Sequence, residues 1–128
     1  VANVSKKTVS FIGVVKANRK TVKIPATIEI NGDTYKVTAV AAGALKGNTS
    51  VTTLEIGANV KTIGKNAFYG CKKLKPIKIT SKVLKTVKAG SFKNIYAKAT
   101  VKVPAAKVSA YKKLLKKGNL PAKAKVKK

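Results

Sequence analysis

The groups in this sequence that could do chemistry are few. There is one thiol, Cys71, three carboxylates, Glu29, Asp33 and Glu55, no histidine, and 29 basic residues of which only Arg19 is an arginine. A cysteine nucleophile works as its thiolate, and thiolates form beside a histidine or another polarising group. No histidine exists here, so Cys71 reads as a small inward-facing apolar group. Glu29 and Asp33 fall in one N-terminal segment and Glu55 in a separate strand, which leaves no two carboxylates placed to divide the roles of general acid and base. A tetrahedral structural zinc takes about four Cys or His ligands, and the chain offers one, a count that also excludes an internal disulfide. Gly64-Lys65-Asn66 has some likeness to a phosphate loop, but Gly57 and Gly64 are separated by six residues instead of four and no Ser or Thr follows Lys65. The expectation is a non-enzymatic chain with no metal or cofactor.

What remains is charge. The formal net charge is +26 over 128 residues, while 45% of residues are hydrophobic, so the chain combines strong self-repulsion with enough apolar material to fold as one domain. A surface this basic attracts anionic polymers, with affinity that falls as salt rises. Sequence-specific nucleic-acid recognition is disfavoured, because a single arginine cannot supply repeated bidentate guanine readout and Tyr35, Tyr69, Tyr96 and Tyr111 form no stacking motif. The longest apolar runs, Phe11 to Val15 and Val40 to Leu45, are far short of the ~20 residues that span a bilayer. The chain shows no initiating Met and no signal segment, as expected of a mature product or a fragment.

The elements that position these residues follow from an internal repeat. Val37, Val40, Ala44, Leu45, Gly47, Val51, Leu54 and Ile56 recur 23 residues later as Val60, Ile63, Ala67, Phe68, Gly70, Leu74, Ile77 and Ile79. A third copy follows at a spacing of 24 with Leu84, Val87, Ser91, Phe92, Asn94, Val101 and Val103, the extra residue falling around Ser81 to Val83. In each copy a short segment (Val37 to Val40, Val60 to Ile63, Leu84 to Val87) precedes a Gly-bounded tight helical turn. A strand then alternates apolar and polar residues: Leu54 to Ile56, Ile77 to Ile79, Val101 to Val103. One copy cannot cover its own apolar face, so the copies must stack. Stacking predicts one interior ladder of Leu45, Phe68 and Phe92, a second of Leu54, Ile77 and Val101, and Cys71 inward between Asn48 and Ile95.

The run Val60 to Ile79, with Ile63, Gly64, Ala67, Phe68, Cys71, Leu74 and Ile77 at its fixed positions, resembles the bacterial BspA-like leucine-rich repeats. The outer copies depart from the pattern, with Ala41, Leu45 and Asn48 in the first and Ser91 and Ile95 in the third. The resemblance implies a β-rich leucine-rich repeat solenoid, a right-handed β/α superhelix with short helical turns. It also implies a secreted or bacterial cell-surface location and often an adhesive role, while the expected partner is a protein or, from the charge, an anionic polymer. It implies no defined ligand.

Residues 37–104 are thus expected to hold three repeats. Residues 8–40 alternate apolar and polar residues around a strong turn at Asn31 to Asp33, which predicts an N-terminal β-meander cap. Val108, Tyr111 and Leu115 share one face of a helix over 105–117, with lysines in its last turn and Gly118 placed to end it, so it reads as a cap for the other end. Residues 119–128 read as a mobile basic tail. Between the inward positions the sheet strands carry outward columns, Glu55, Lys78 and Lys102 in one and Thr53, Pro76 and Thr100 in the next, while Lys61 and Lys85 align with Thr38 on the opposite strands. Two readings of these lysines stand: a surface that holds an anionic cell-wall or host glycan, or simple solvation of a repeat stack. A structural spacer within a larger surface protein and a nonspecific nucleic-acid binder are the alternative functions.

Overall fold

The computed structural model describes residues 2–3, 7–12 and 20–128. In chain order the strands are β1 (Ala2–Asn3), β2 (Thr8–Phe11), β3 (Thr21–Ile24), β4 (Thr27–Ile30), β5 (Asp33–Val40), β6 (Thr53–Ile56), β7 (Thr62–Ile63), β8 (Pro76–Ile79), β9 (Thr86–Val87) and β10 (Thr100–Lys102). A 3₁₀ turn (Ala105–Lys107) leads into helix α1 (Val108–Lys117), and β11 (Lys125–Lys127) closes the chain.

Each copy visits two sheets in turn. The first sheet runs β1-β2-β5-β7-β9, with β4 also paired to β5; the second runs β11-β10-β8-β6-β3 and all of its pairings are parallel. The near-equal spacing of the copies, with the one extra residue falling in a loop, dictates this: equivalent residues on successive passes meet side by side and point the same way. Leu54, Ile77 and Val101 therefore stand in register, as predicted, and the row continues to Val22 on one side and Val126 on the other. All but Val126 are buried to 2% exposure or less, and Val126 packs against the same core.

The Gly-bounded segments are not helical turns. In the first copy Gly43, Leu45 and Gly47 donate their amides to the carbonyls of Lys65, Ala67 and Tyr69 at 2.7–2.9 Å, while Ala44, Lys46 and Asn48 donate within their own turn. The second copy repeats this toward Ala89, Ser91 and Lys93. Because alternate amides are given to the next copy, a continuous i→i−3 ladder cannot form. The zigzag also demands left-handed backbone at fixed places. Gly43, Asn66 and Gly90 hold one such position and Gly47, Gly70 and Asn94 the other, all at φ between 56° and 77°. Gly and Asn occupy that region at least cost. Inside these turns Leu45, Phe68 and Phe92 are buried at 3%, 0% and 0% exposure, with the two phenylalanine rings 5.3 Å apart.

The ends differ from expectation. Residues 8–40, of which 13–19 lie outside the described residues, are not a meander: β2 joins the first sheet parallel to β5, β3 joins the second sheet parallel to β6, and among the described residues the antiparallel contacts there are β1 with β2 and the β4–β5 hairpin around Asn31 and Gly32. A meander needs a tight turn between each pair of strands, and only Asn31 to Asp33 supplies one. Val22 and Ile24 instead match Leu54 and Ile56, so β3 behaves as a further copy. Residues 119–128 are not a free tail either. Lys125-Val126-Lys127 alternates like a strand and pairs parallel to β10, while Leu120 and Ala124 pack against the core.

At this end α1 buries Tyr111 and Leu115, and its terminus replaces the missing next turn: Phe92 donates to the Gly118 carbonyl at 2.8 Å and Gly90 to the Asn119 side-chain oxygen at 2.7 Å. Gly118 serves close approach, since a Cβ would lie 2.5 Å from the Ser91 hydroxyl, and the left-handed residue beyond the helix is Asn119 at φ 65°. The extra residue of the third copy is accommodated where Tyr111 reaches. Its hydroxyl donates to the Ser81 carbonyl at 2.8 Å and accepts from the Leu84 amide at 3.2 Å, and the buried Ser81 hydroxyl donates to the Val60 carbonyl at 2.7 Å.

Candidate functional site

The outward face of the second sheet carries two parallel rows of side chains, with neighbouring strands about 4.8 Å apart. The first row is Lys23, Glu55, Lys78, Lys102 and Lys127; the second includes Thr21 beside Thr53, and Pro76, Thr100 and Lys125. The predicted column Glu55, Lys78 and Lys102 is thus present and longer than the sequence reading made it. Glu55 is held between two ammonium groups, Lys23 at 3.6 Å and Lys78 at 3.9 Å. Among the described residues no carboxylate stands beside Lys102 or Lys127. The row therefore sets four cations against one anion, and its excess lies toward the C-terminal end. The two rows form the floor and sides of an open trough of about 420 Å³ lined by Thr53, Pro76, Lys78, Thr100, Lys102 and Lys127 among others.

Beyond Thr100 the trough meets a second concavity of about 540 Å³, lined by Lys75, Tyr96, Lys98, Thr100, Lys123 and Lys125. Four of its six residues are lysines. Tyr96 is 40% exposed and the Lys75 ammonium lies 5.6 Å from its ring centroid. Sequence reasoning missed this cluster because its members come from different copies and from the segment taken as a tail. The alternation Lys125-Val126-Lys127, matching Thr100-Val101-Lys102, was the signal that would have found Lys125 and Lys127.

Lys61 and Lys85 sit elsewhere. The Lys61 amide donates to the Thr38 carbonyl at 2.7 Å and the Lys85 amide to the Lys61 carbonyl at 2.8 Å, so they are neighbours on successive copies, at the entry to the first sheet. The five charged candidates thus divide into two groups on two sheets.

Cys71 is buried, and its thiol donates to the Leu45 carbonyl at 3.1 Å. Burial pushes its pKa up to about 11, against a smaller opposing hydrogen bond from the Asn48 backbone, so the thiol is protonated and shielded at neutral pH. Burial likewise raises the Tyr111 hydroxyl, with hydrogen bonds at Leu84 and Ser81 opposing. Asp33 pairs with Lys7 at 3.4 Å, and Glu29 lies across from Thr34 in the β4–β5 hairpin, so the three carboxylates are dispersed. Among the described residues there is no cluster of His, Cys, Asp or Glu able to hold a metal ion, and no helix long and apolar enough to cross a membrane. Arg19 lies outside the described residues.

Comparison with known proteins agrees with this architecture. The family model for the BspA type leucine rich repeat region matches residues 38–120 in six copies. A crystal structure of a leucine rich cell surface protein from Faecalibacterium prausnitzii A2-165 superposes with a TM-score of 0.60 at 21% sequence identity, covering 86% of this chain. The chain spans 32% of the length of that structure. No curated protein sequence matches.

Proposed function

The chain belongs to the BspA-type leucine-rich repeat family, and from that premise we propose that it is a non-enzymatic binding or adhesion module of a bacterial surface, which meets an anionic polymer through the outward face of its second sheet. The stacked copies wind as a right-handed solenoid, with β1, β2 and β3 at one end and α1 and β11 at the other. The observation that carries this reading is the run Lys78, Lys102 and Lys127 on three adjacent strands, of which only Lys78 has a carboxylate partner among the described residues. Ammonium groups repeated about every 4.8 Å beside threonine hydroxyls suit a linear anion, which displaces counterions as it binds. The cell-surface description of the structurally similar protein supports the location.

The test is retention on immobilised heparin and on isolated cell wall across a salt series. Retention at low salt that falls steeply as salt rises is expected, and no retention at low salt overturns the reading. A second reading has one supporting observation, the 32% share of the similar structure that this chain spans: the unit is a spacer within a longer surface protein whose ligand sits on other repeats. In that case the second-sheet lysines can be neutralised without changing the binding of the full-length protein.

A further inference from the structure

We infer that the concavity at the C-terminal end of the second sheet is a subsite for one acidic sugar of an acidic polysaccharide, with Tyr96 as its ring platform and Lys98 and Lys123 as its anion contacts. The inference rests on the reading of the sheet face as polyanion-binding and adds what selects the ligand. Lys75, Lys98, Lys123 and Lys125 converge on a space of about 540 Å³, and the carboxylates with described partners are committed elsewhere, Asp33 to Lys7 and Glu55 to Lys23 and Lys78. A concavity lined by one sign of charge concentrates its field and gathers counterions. Its volume lies within the range of small-ligand sites.

Tyr96 supplies what a bare lysine row lacks. Its ring is 40% exposed in a position where nothing in the core requires an aromatic residue, and the ring face carries the negative quadrupole that draws Lys75 to 5.6 Å and suits the C–H face of a pyranose. A nucleic-acid strand would call for successive aromatic platforms along its path. Along the trough the rows are Lys, Glu, Thr and Pro, so the surface offers one ring site followed by hydroxyls and ammonium groups. That order fits a polysaccharide anchored at one sugar and running over Thr100 toward Pro76 and Thr53.

The test compares two probes, dextran sulfate, which has sugar rings and anions, and inorganic polyphosphate, which has anions alone. Tyr96→Ala weakens dextran sulfate binding by about three- to tenfold and leaves polyphosphate within about twofold, while Tyr96→Phe retains dextran sulfate binding. Lys98→Gln with Lys123→Gln weakens both probes and flattens both salt dependences. An unchanged dextran sulfate affinity in Tyr96→Ala overturns the subsite while leaving the charged face standing. Absence of binding of either probe by the native chain overturns the face and the subsite together. Single-stranded DNA bound as tightly as dextran sulfate, with equal loss in Tyr96→Ala, overturns the assignment to a sugar.

Discussion

The two sheets are fed by the same repeat and carry lysines of the same kind, yet they present them differently. In the second sheet, strands of three or four residues are long enough to alternate fully, so each pass buries its apolar positions and displays outward ones, and five passes in register turn single residues into rows. In the first sheet β7 and β9 have two residues each, and Lys61 and Lys85 stand at their entry, outside the alternating strand positions. Charge alone does not make a site; strand length and register decide whether it is concentrated. The difference also explains why a net charge of +26 is compatible with folding, since the described lysines lie outside the hydrophobic core.

The largest expected effect comes from removing what both sheets share. Phe68 lies in the turn that carries the chain from β7 to β8 and contacts Phe92 in the next turn. Phe68→Ala should lower unfolding free energy by roughly 3–5 kcal/mol in a denaturant titration. A near-neutral result would mean that the turns do not couple the two sheets.

A smaller break falls on the return path from the second sheet to the first. Tyr111→Phe deletes the hydroxyl that ties the Ser81 carbonyl and Leu84 amide, and leaves both without that partner. A loss of about 1–2 kcal/mol is expected, together with faster amide exchange at Leu84. If Leu84 exchange is unchanged, the helix does not hold this crossover.

Cys71 gives a pH handle on the interior between the sheets. The folded thiol keeps its proton to about pH 11, whereas the unfolded one releases it near 9.0, so its contribution to stability is present below pH 9 and is lost as pH rises through 11. The stability of the native chain should therefore fall relative to Cys71→Ala over that interval, by at most about 2–3 kcal/mol. At pH 8 the native thiol should also resist a disulfide reagent until the chain is unfolded. Rapid modification of the folded protein would place Cys71 outside the core.

The middle of the molecule was legible in the sequence because its information is written three times. Val40, Ile63 and Val87, or Leu54, Ile77 and Val101, fix both the inward face and the register, and near-equal spacing then makes the strands parallel. The left-handed turn positions were also visible in principle, as Gly43, Asn66 and Gly90 and as Gly47, Gly70 and Asn94, but composition alone suggested a helical turn. It does not reveal that alternate amides are donated to a neighbouring copy. The ends were less legible, because each occurs once and is defined by what it covers. Val22 and Val126 look like ordinary strand residues until the ladder they extend is known. The same holds for the site. The column Glu55, Lys78 and Lys102 followed from register, whereas Lys23, Lys127 and the Tyr96 cluster depend on end segments brought in by tertiary contacts.

The smallest effect on stability should come from the lysines themselves, within about 0.5 kcal/mol for exposed side chains, and these carry the central comparison. The decisive measurement is polyphosphate affinity at low salt for two variants matched in charge, Lys102→Gln with Lys127→Gln on the second sheet and Lys61→Gln with Lys85→Gln on the first. A loss of about tenfold and a flatter salt dependence are expected for the first variant, and a change within about twofold for the second. Equal losses in the two would rule out a site on the second sheet, since binding would then follow net charge alone.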